Sequence, residues 1–177
     1  NGRKLMSDSF EDNEAELVTQ LAAIIFQNDP DCLSSLRQAL GDWQAFCKSE
    51  DAAVDLLPKG SPSAWEKLIV VGILHHRIFE AALDIRLHDL FDGLKTIAPA
   101  ALADCPWDCL GDESKEYDRE MYLESISCKL HFAGHGIVLL YKYSETLPIV
   151  ILRLADIERL LEAAAELTQG EVVSLGD

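Results

Sequence analysis

The stretch "GIVLLYKYSETLPIVILRLADIERLLEAAAELTQGEVVSL", residues 136–175, decides the fold. It opens with two short apolar segments, 136–143 and 147–154, which are rich in the branched residues that strands favour. The polar residues 144–146 separate them. Two such runs joined by a short polar connection predict a β-hairpin.

The second half of this stretch predicts a helix and another strand. Apolar residues recur every three or four positions over 155–170, and Gly170 is a typical helix stop. Residues 171–175 then predict a final short strand. Because the preceding sequence is mostly of helical pattern, we expect an α+β domain. Its helical N-terminal two thirds would pack on one face of a small, mostly antiparallel sheet that ends in a β-β-α-β tail.

The N-terminal part of the chain predicts two long helices. Ser9 or Asp12 is positioned to cap a first helix that runs to about Asn28. Asp29 precedes a proline and predicts the cap of a second helix, which we expect to continue unbroken to about Lys48.

Further helices are expected in the middle of the chain. In "KGSPSAWEKLIVVGILHH", either Ser61 caps the helix or Ser63 forms a capping box with Glu66. The next residues, 77–85, are compatible with a short strand or with continued helix. Residues 86–98 return to a helical period, and a last helix is predicted to begin with Asp112 as its cap.

Length and charge limit the possible classes of protein. The chain has 177 residues, and we expect 6–177 to form a single domain, with Met6 as the natural start and residues 1–5 foreign to the protein. Fifteen basic and thirty-one acidic residues give a net charge of −16. So negative a chain is a poor partner for nucleic acid or for an anionic membrane, whereas it attracts a protein with a basic surface.

The cysteines and the absence of certain segments predict a cytoplasmic protein. Neither a signal peptide nor a run of about twenty apolar residues is present in the sequence. Five cysteines are an odd number in a chain long enough to build its own core, which favours free thiols in a reducing compartment. They are Cys32, Cys47, Cys105, Cys109 and Cys128.

The motif "CKLHFAGHG", residues 128–136, is the most concentrated set of potential metal ligands. On a helix, Glu124, Cys128 and His131 follow an i, i+4, i+7 pattern that suits zinc, and Cys105 and Cys109 offer further thiolates. We expect Gly134 to end the helix before His135 joins this set. The alternative is that Cys128 is a small buried apolar residue and that His131 is half exposed.

The same helix carries a second apolar side. Its first apolar stripe contains Tyr122, Leu123, Ile126, Leu130 and Ala133. Opposite this stripe lie Tyr117, Met121, Cys128 and Phe132. A helix that is apolar on two sides is either buried on both or leaves one side for a partner.

The remaining histidines favour structural roles. His75 and His76 end a strongly apolar helix, where a positively charged histidine is stabilised by the helix dipole. His88 and Asp92 are four residues apart and predict a surface hydrogen bond. The sequence contains no nucleophile elbow, no phosphate-binding glycine loop and no H-E-x-x-H motif.

Two acidic runs suggest a docking surface. They are "SDSFEDNEAE", residues 7–16, and "DCPWDCLGDESKEYDRE", residues 104–120, and each is either a solvated helix face or a surface for a basic partner. In the second run, acids and aromatic anchors together form the candidate partner-binding set. This set is Asp104, Trp107, Asp108, Asp112, Glu113, Glu116 and Tyr117.

These observations favour a non-catalytic, acidic protein-binding domain that needs no cofactor. A specific form is a bacterial immunity-type inhibitor that covers the basic surface of a toxin. The alternative is a metal-dependent or thiol enzyme centred on Glu124, Cys128 and His131. A homodimer whose charge serves only solubility is a third possibility.

Two stretches resemble a bacterial family of uncharacterised proteins, domain of unknown function 6630. They are "AWEKLIVVGILHHRIFEAALDIRLHDLFDGL" and "HGIVLLYKYSETLPIVILRLADIERLLEAAAELTQGEVVSL". The similarity lies in the order of elements: an apolar helix with a tryptophan, a short segment ending in Leu83 and Asp84, a helix, a hairpin, a helix and a strand. The turn at 144–146 is shorter than in that family. The resemblance implies a fold for residues 61–177 and brings no catalytic residues.

Overall fold

The computed structural model describes residues 2–51, 53, 56, 62–82, 84–103, 119–141 and 146–176, without the side chains of 2–12, 119 and 120. Eight helices and four strands lie in these ranges. In chain order they are α1 (Gly2–Ile25), α2 (Pro30–Gly41), α3 (Trp43–Ser49), α4 (Ala64–Leu74), β1 (Phe79–Ala82), α5 (Leu87–Ile97), α6 (Pro99–Leu102), α7 (Arg119–Phe132), β2 (His135–Tyr141), β3 (Thr146–Arg153), α8 (Leu154–Ala164) and β4 (Glu171–Leu175).

The four strands form one antiparallel sheet in the order β1-β3-β2-β4. Strands β2 and β3 pair with Leu139 opposite Ile149, which confirms the predicted pairing of the two apolar runs. On its other edge β2 pairs with β4, where Leu139 lies opposite Val173. The ambiguous segment 77–85 contributes β1. The α+β class and the β-β-α-β tail are therefore confirmed.

Helices cover both faces of this sheet, so the prediction of helices on one face is wrong. Val138 and Leu140 of β2 belong to a first core, which includes residues of α1, α2, α3, α4 and α8. Ile137 and Leu139 of the same strand belong to a second core, built with α5, α6 and α7. Successive residues of a strand point to opposite faces, so an uninterrupted apolar run places apolar side chains on both.

Local capping explains where the N-terminal helices begin and end. Helix α1 runs through Ser9 and Asp12, so the prediction that one of them caps it is wrong. After α1, Gln27 and Asn28 have positive φ angles of 53° and 59° and turn the chain. Asp29 then caps α2, as predicted, because its Oδ1 accepts hydrogen bonds from the backbone N–H groups of Asp31 and Cys32.

The predicted single helix to Lys48 is in fact two helices. Helix α2 ends at Gly41, and Asp42 is extended with a φ of −146°. Its Oδ1 accepts a hydrogen bond of 2.9 Å from the N–H of Ala45 and so caps α3. The carboxylate satisfies a donor that a continuous helix would have bonded internally, which makes the break locally inexpensive.

Helix α4 begins with the capping box that the sequence offered. Ser63 Oγ accepts from the N–H of Glu66, and Glu66 Oε2 accepts from the N–H of Ser63. Trp65 is buried in the first core, and its Nε1 donates to the carbonyl of Tyr141 at 3.1 Å. This bond joins α4 to the end of β2. None of the described helices is long and apolar enough to cross a membrane.

Candidate functional site

Helix α7 has one buried side and one exposed apolar side. Its first predicted stripe is buried in the second core at Tyr122, Leu123, Ile126 and Leu130, whereas Ala133 is exposed. On the opposite side, Met121 is 58% exposed and Phe132 is 95% exposed. Tyr117, the remaining residue of the second predicted stripe, lies outside the described residues. The helix therefore leaves this side open, which is one of the two predicted outcomes.

The structure does not assemble the predicted metal ligands into a group. Glu124, Cys128 and His131 are all exposed, so the alternative in which Cys128 is a small buried apolar residue is also wrong. Among the described residues, no three His, Cys, Asp or Glu side chains lie in an arrangement that could hold a metal ion. Gly134 has a φ of +74° and follows the end of α7, which confirms that His135 lies beyond the helix, in β2.

The other described thiols are poorly suited to nucleophilic catalysis. Burial raises the pKa of the Cys32 thiol, although a hydrogen bond from Arg77 partly opposes this effect. Burial also raises the pKa of the Cys47 thiol. A reactive cysteine needs a lowered thiol pKa, because the thiolate is the nucleophile. Cys105 and Cys109 lie outside the described residues.

The candidate partner-binding residues of the second acidic run all fall outside the described part of the chain. They are Asp104, Trp107, Asp108, Asp112, Glu113, Glu116 and Tyr117, and the predicted cap at Asp112 lies outside it with them. The first acidic run is partly described, and its last residues reach an acidic cleft.

The acidic cleft lies between α1 and the connection from α8 to β4, and it has a volume of about 360 Å³. Three of its lining residues are glutamates, three carry neutral polar side chains, and one is a leucine. They are Asn13, Glu14, Glu16, Leu17, Gln20, Glu166 and Thr168. None of these described lining residues is basic.

The helical period of α1 builds one wall of this cleft. Val18, Leu21 and Ile25 are buried in the first core and fix which side of α1 faces inward. Leu17 and Gln20 then lie along the border of that buried side, next to α8. The acidic run at 7–16 pointed to Glu14 and Glu16. It gave no indication of Glu166, which is about 150 residues away in sequence and reaches the cleft only through the packing of α8 on α1.

The cleft has the chemistry to accept a cationic side chain. Its carboxylates would attract an ammonium or guanidinium group, its amides and hydroxyl offer further hydrogen bonds, and Leu17 offers an apolar surface for an aliphatic stem. A lysine or arginine on a partner protein combines these features. The cleft repels anions, so it is not suited to a phosphate or a nucleic acid.

Helix α4 ends just before His75 and His76, as predicted, and its end lies near an ion pair. His75 is the C-cap residue of α4, and its Nε2 is 2.9 Å from Ser35 Oγ of α2. Arg77 Nη2 donates to Asp29 Oδ2 at 2.5 Å. This hydrogen bond, helped by the bond from Cys32 N–H, lowers the pKa of Asp29 to about 2. These bonds join α2 to the turn between α4 and β1.

The predicted contact between His88 and Asp92 is confirmed as a surface interaction. The distance from His88 Nδ1 to Asp92 Oδ2 is 3.1 Å, and both side chains are more than half exposed. An exposed pair one helical turn apart contributes little to stability.

Comparison with known proteins identifies no relative of this chain. No protein-family model, no curated protein and no solved structure matches it. The resemblance to domain of unknown function 6630 therefore stays a prediction.

Proposed function

We propose that this chain is a non-catalytic, acidic protein-binding domain whose partner has a basic surface. The acidic cleft carries this proposal, because Glu14, Glu16 and Glu166 line it together with Leu17 and because none of its described lining residues is basic. The partner inserts a lysine or arginine side chain into the cleft.

The net charge of −16 also favours a partner with a basic surface, and it acts over a longer distance than the contacts in the cleft. A negative field steers a basic protein toward the surface and raises the association rate. Surface electrostatics are screened at a Debye length of about 8 Å in physiological salt, so binding should weaken steeply as salt increases.

The most specific form of the proposal is an immunity-type inhibitor that covers the basic surface of a bacterial toxin. The toxin's nucleic-acid-binding groove is basic because it must attract phosphate, and an acidic protein competes with phosphate for that groove. The test is a panel of purified basic nuclease toxin domains, assayed for binding by calorimetry and for loss of nuclease activity. We expect one member to be inhibited at a one-to-one ratio.

Variants of the cleft decide whether that inhibition uses the proposed site. The triple variant Glu14→Gln, Glu16→Gln and Glu166→Gln removes three charges with little change in shape. We expect it to weaken binding at least tenfold. A matched control that removes three exposed charges elsewhere should lose much less affinity; it combines Glu50→Gln, Asp51→Asn and Asp84→Asn. Equal losses in the two variants would show that only net charge matters and would remove the cleft from the proposal.

The proposal includes a cytoplasmic location. Its support is the odd number of cysteines, with free thiols at Cys32, Cys47 and Cys128 among the described residues. Labelling of thiols in intact cells with a reagent that does not cross membranes tests it. Labelling that occurs only after lysis would support the cytoplasmic location.

The alternative, a metal-dependent or thiol enzyme centred on Glu124, Cys128 and His131, has less support because those side chains are exposed and do not form a ligand group. Elemental analysis of protein purified without a chelator separates the two functions. Stoichiometric zinc or iron that is lost in Cys128→Ser would favour the enzyme.

A further inference from the structure

Strand β4 lies at one edge of the sheet and has a neighbouring strand on one side only. The order β1-β3-β2-β4 places β2 on its inner side, and none of the other described strands pairs with its outer side. Its residues are exposed or only partly buried, whereas those from Gly136 to Leu140 of β2 are buried. An edge strand of this kind presents backbone N–H and C=O groups that can pair with another chain.

Hydrogen bonds near β2 show which residues of β4 direct these groups outward. The carbonyl of Gly134, just before β2, accepts from the N–H of Leu154 at 3.0 Å, so the even-numbered residues of β2 bond toward β3. The odd-numbered residues therefore bond toward β4, where Ile137 lies opposite Leu175. In agreement with this direction, the hydroxyl of Ser127 accepts from the N–H of Ile137 and donates to the carbonyl of Leu175.

Val172 and Ser174 consequently direct their N–H and C=O groups away from β2. Residues alternate along a strand, and the odd-numbered residues of β4 face β2. Neither Val172 nor Ser174 has a hydrogen-bond partner for these groups in the part of the chain that the structure describes. At the other edge of the sheet, by contrast, the carbonyl of Ala82 in β1 accepts from the N–H of Ile85. The outer side of β4 thus offers two donors and two acceptors.

The sequence of β4 and its surroundings favours a basic chain at this edge. The strand contains neither lysine nor proline, the residues that commonly protect edge strands, and its one charged residue is Glu171. From Glu162 to Asp177 the sequence has four acidic residues and no basic one. A second copy, which also carries a charge of −16, is therefore repelled, whereas a basic segment is attracted.

The acidic cleft lies near the beginning of the same edge. Thr168 lines the cleft, and Glu171, where β4 begins, is the third residue after it. Three residues span at most about 11 Å. Val172 packs against the first core, to which α1, the other wall of the cleft, also belongs. One partner segment can therefore reach both the cleft and the edge.

We propose that the basic partner binds as an extended segment that pairs with the outer side of β4 and adds a fifth strand to the sheet. Opposite residues of paired strands share a face. Partner residues opposite Val172 and Ser174 then face the layer that contains the cleft, and the residue between them lies beside Val173 at the second core. The segment therefore alternates basic and apolar residues. This inference rests on the proposed function, because it names the form in which a basic partner reaches the cleft.

Amide hydrogen exchange, followed by NMR, tests the pairing. The probe is an acetylated pentapeptide amide in which lysine and valine alternate, with lysine at both ends. At saturation it should slow the exchange of the Val172 and Ser174 amides at least fivefold. The amide of Val173 is the internal control, because it already faces β2 and should slow much less.

A proline variant tests the same edge by affinity. Ser174→Pro removes one outward N–H and keeps the bonds to β2, since proline is tolerated where an edge N–H faces solvent. The matched control, Ser174→Ala, keeps that N–H. In calorimetry we expect Ser174→Pro to bind the probe at least fivefold more weakly and Ser174→Ala to change affinity less than twofold. Unchanged amide protection in β2 and β3 shows that the variant keeps the fold.

The outcomes distinguish this inference from the proposed function. Probe binding that shifts Glu166 and Thr168 but leaves the Val172 and Ser174 amides unprotected would overturn the added strand and leave the cleft proposal standing. Equal affinities of the proline and alanine variants would do the same. Protection of these amides that rises with protein concentration without the probe would assign the edge to a second copy and overturn the inference. A probe that does not bind the natural chain would count against both.

Discussion

The two helical layers differ in how they meet the sheet and in what they expose. The first layer, α1 to α4 with α8, is joined by polar contacts such as the Arg77–Asp29 ion pair and carries the acidic cleft on its outside. The second layer, α5 to α7, packs on the opposite face, and α7 turns its exposed apolar side, with Met121 and Phe132, toward solvent. Both layers bury residues of β2 and β3. Burial therefore sets the fold, whereas the outer surfaces set what each layer can bind.

The largest effect that tests this comparison comes from two adjacent leucines of β2. Leu139 faces the second core and Leu140 faces the first, and both are almost fully buried. Leu139→Ala and Leu140→Ala should each lower the free energy of unfolding by about 2–5 kcal/mol, because each leaves a cavity. Urea unfolding measures both. A loss below about 1 kcal/mol for either would mean that its face of the sheet is not a packed core.

A smaller effect is expected from a buried cation in the second layer. Among the described residues, Lys129 Nζ of α7 is buried and has no hydrogen-bond partner. Replacing it by methionine removes a desolvated ammonium and keeps most of the side-chain volume. Lys129→Met should therefore stabilise the protein by about 1–3 kcal/mol in urea unfolding. Destabilisation would show that the ammonium makes a favourable interaction.

The ion pair of the first layer predicts a specific dependence on acid. The hydrogen bond from Arg77 lowers the pKa of Asp29 from 3.8 to about 2. A carboxyl group with a lowered pKa stabilises the fold above its unfolded pKa and loses that effect as the pH falls toward the folded pKa. The natural chain should thus lose stability between about pH 4 and pH 2, and part of this loss should be absent from Asp29→Asn.

Unfolding midpoints measured at several pH values test this prediction. Asparagine can still cap α2, so the variant isolates the charge on Asp29. The matched control is Asp42→Asn. Asp42 caps α3 in the same way but has no ion-pair partner among the described residues. Identical pH profiles for Asp29→Asn and the natural chain would contradict the role of Arg77.

The smallest effect is expected on the outer side of α7. Phe132→Ser should change the free energy of unfolding by less than about 0.5 kcal/mol at low protein concentration, because the ring is 95% exposed and packs against little of its own chain. Thermal unfolding at micromolar concentration measures this. A loss comparable to that of Leu139→Ala would mean that the ring is part of the core.

Local signals in the sequence predicted the elements better than their arrangement. The caps at Asp29 and Ser63 and the strands of the tail depend on residues a few positions apart, and the structure confirms them. The break at Asp42 was missed because the apolar spacing continues across it. The second helical layer was missed although the unbroken apolar runs of β2 and β3 indicate burial on both faces.

The surfaces were predictable only in part. The helical period of α7 separated a side that is buried, except at Ala133, from a side that is exposed at Met121, Cys128 and Phe132. The sequence alone did not decide whether that second side is covered. The cleft needs Glu166 beside Glu14 and Glu16, and that proximity depends on how α8 packs on α1. A contact between elements so distant in sequence leaves no local pattern.

The binding of a basic partner at the cleft is tested most directly by an NMR titration. Acetylated tetralysine amide is added to the isotope-labelled protein, and the chemical shifts are followed. We predict that the largest shifts fall on residues 13–20 and 166–168 and that they disappear in the Glu14→Gln, Glu16→Gln, Glu166→Gln variant but persist in the Glu50→Gln, Asp51→Asn, Asp84→Asn control. Shifts spread evenly over the acidic surface, or unchanged in the cleft variant, would contradict the account.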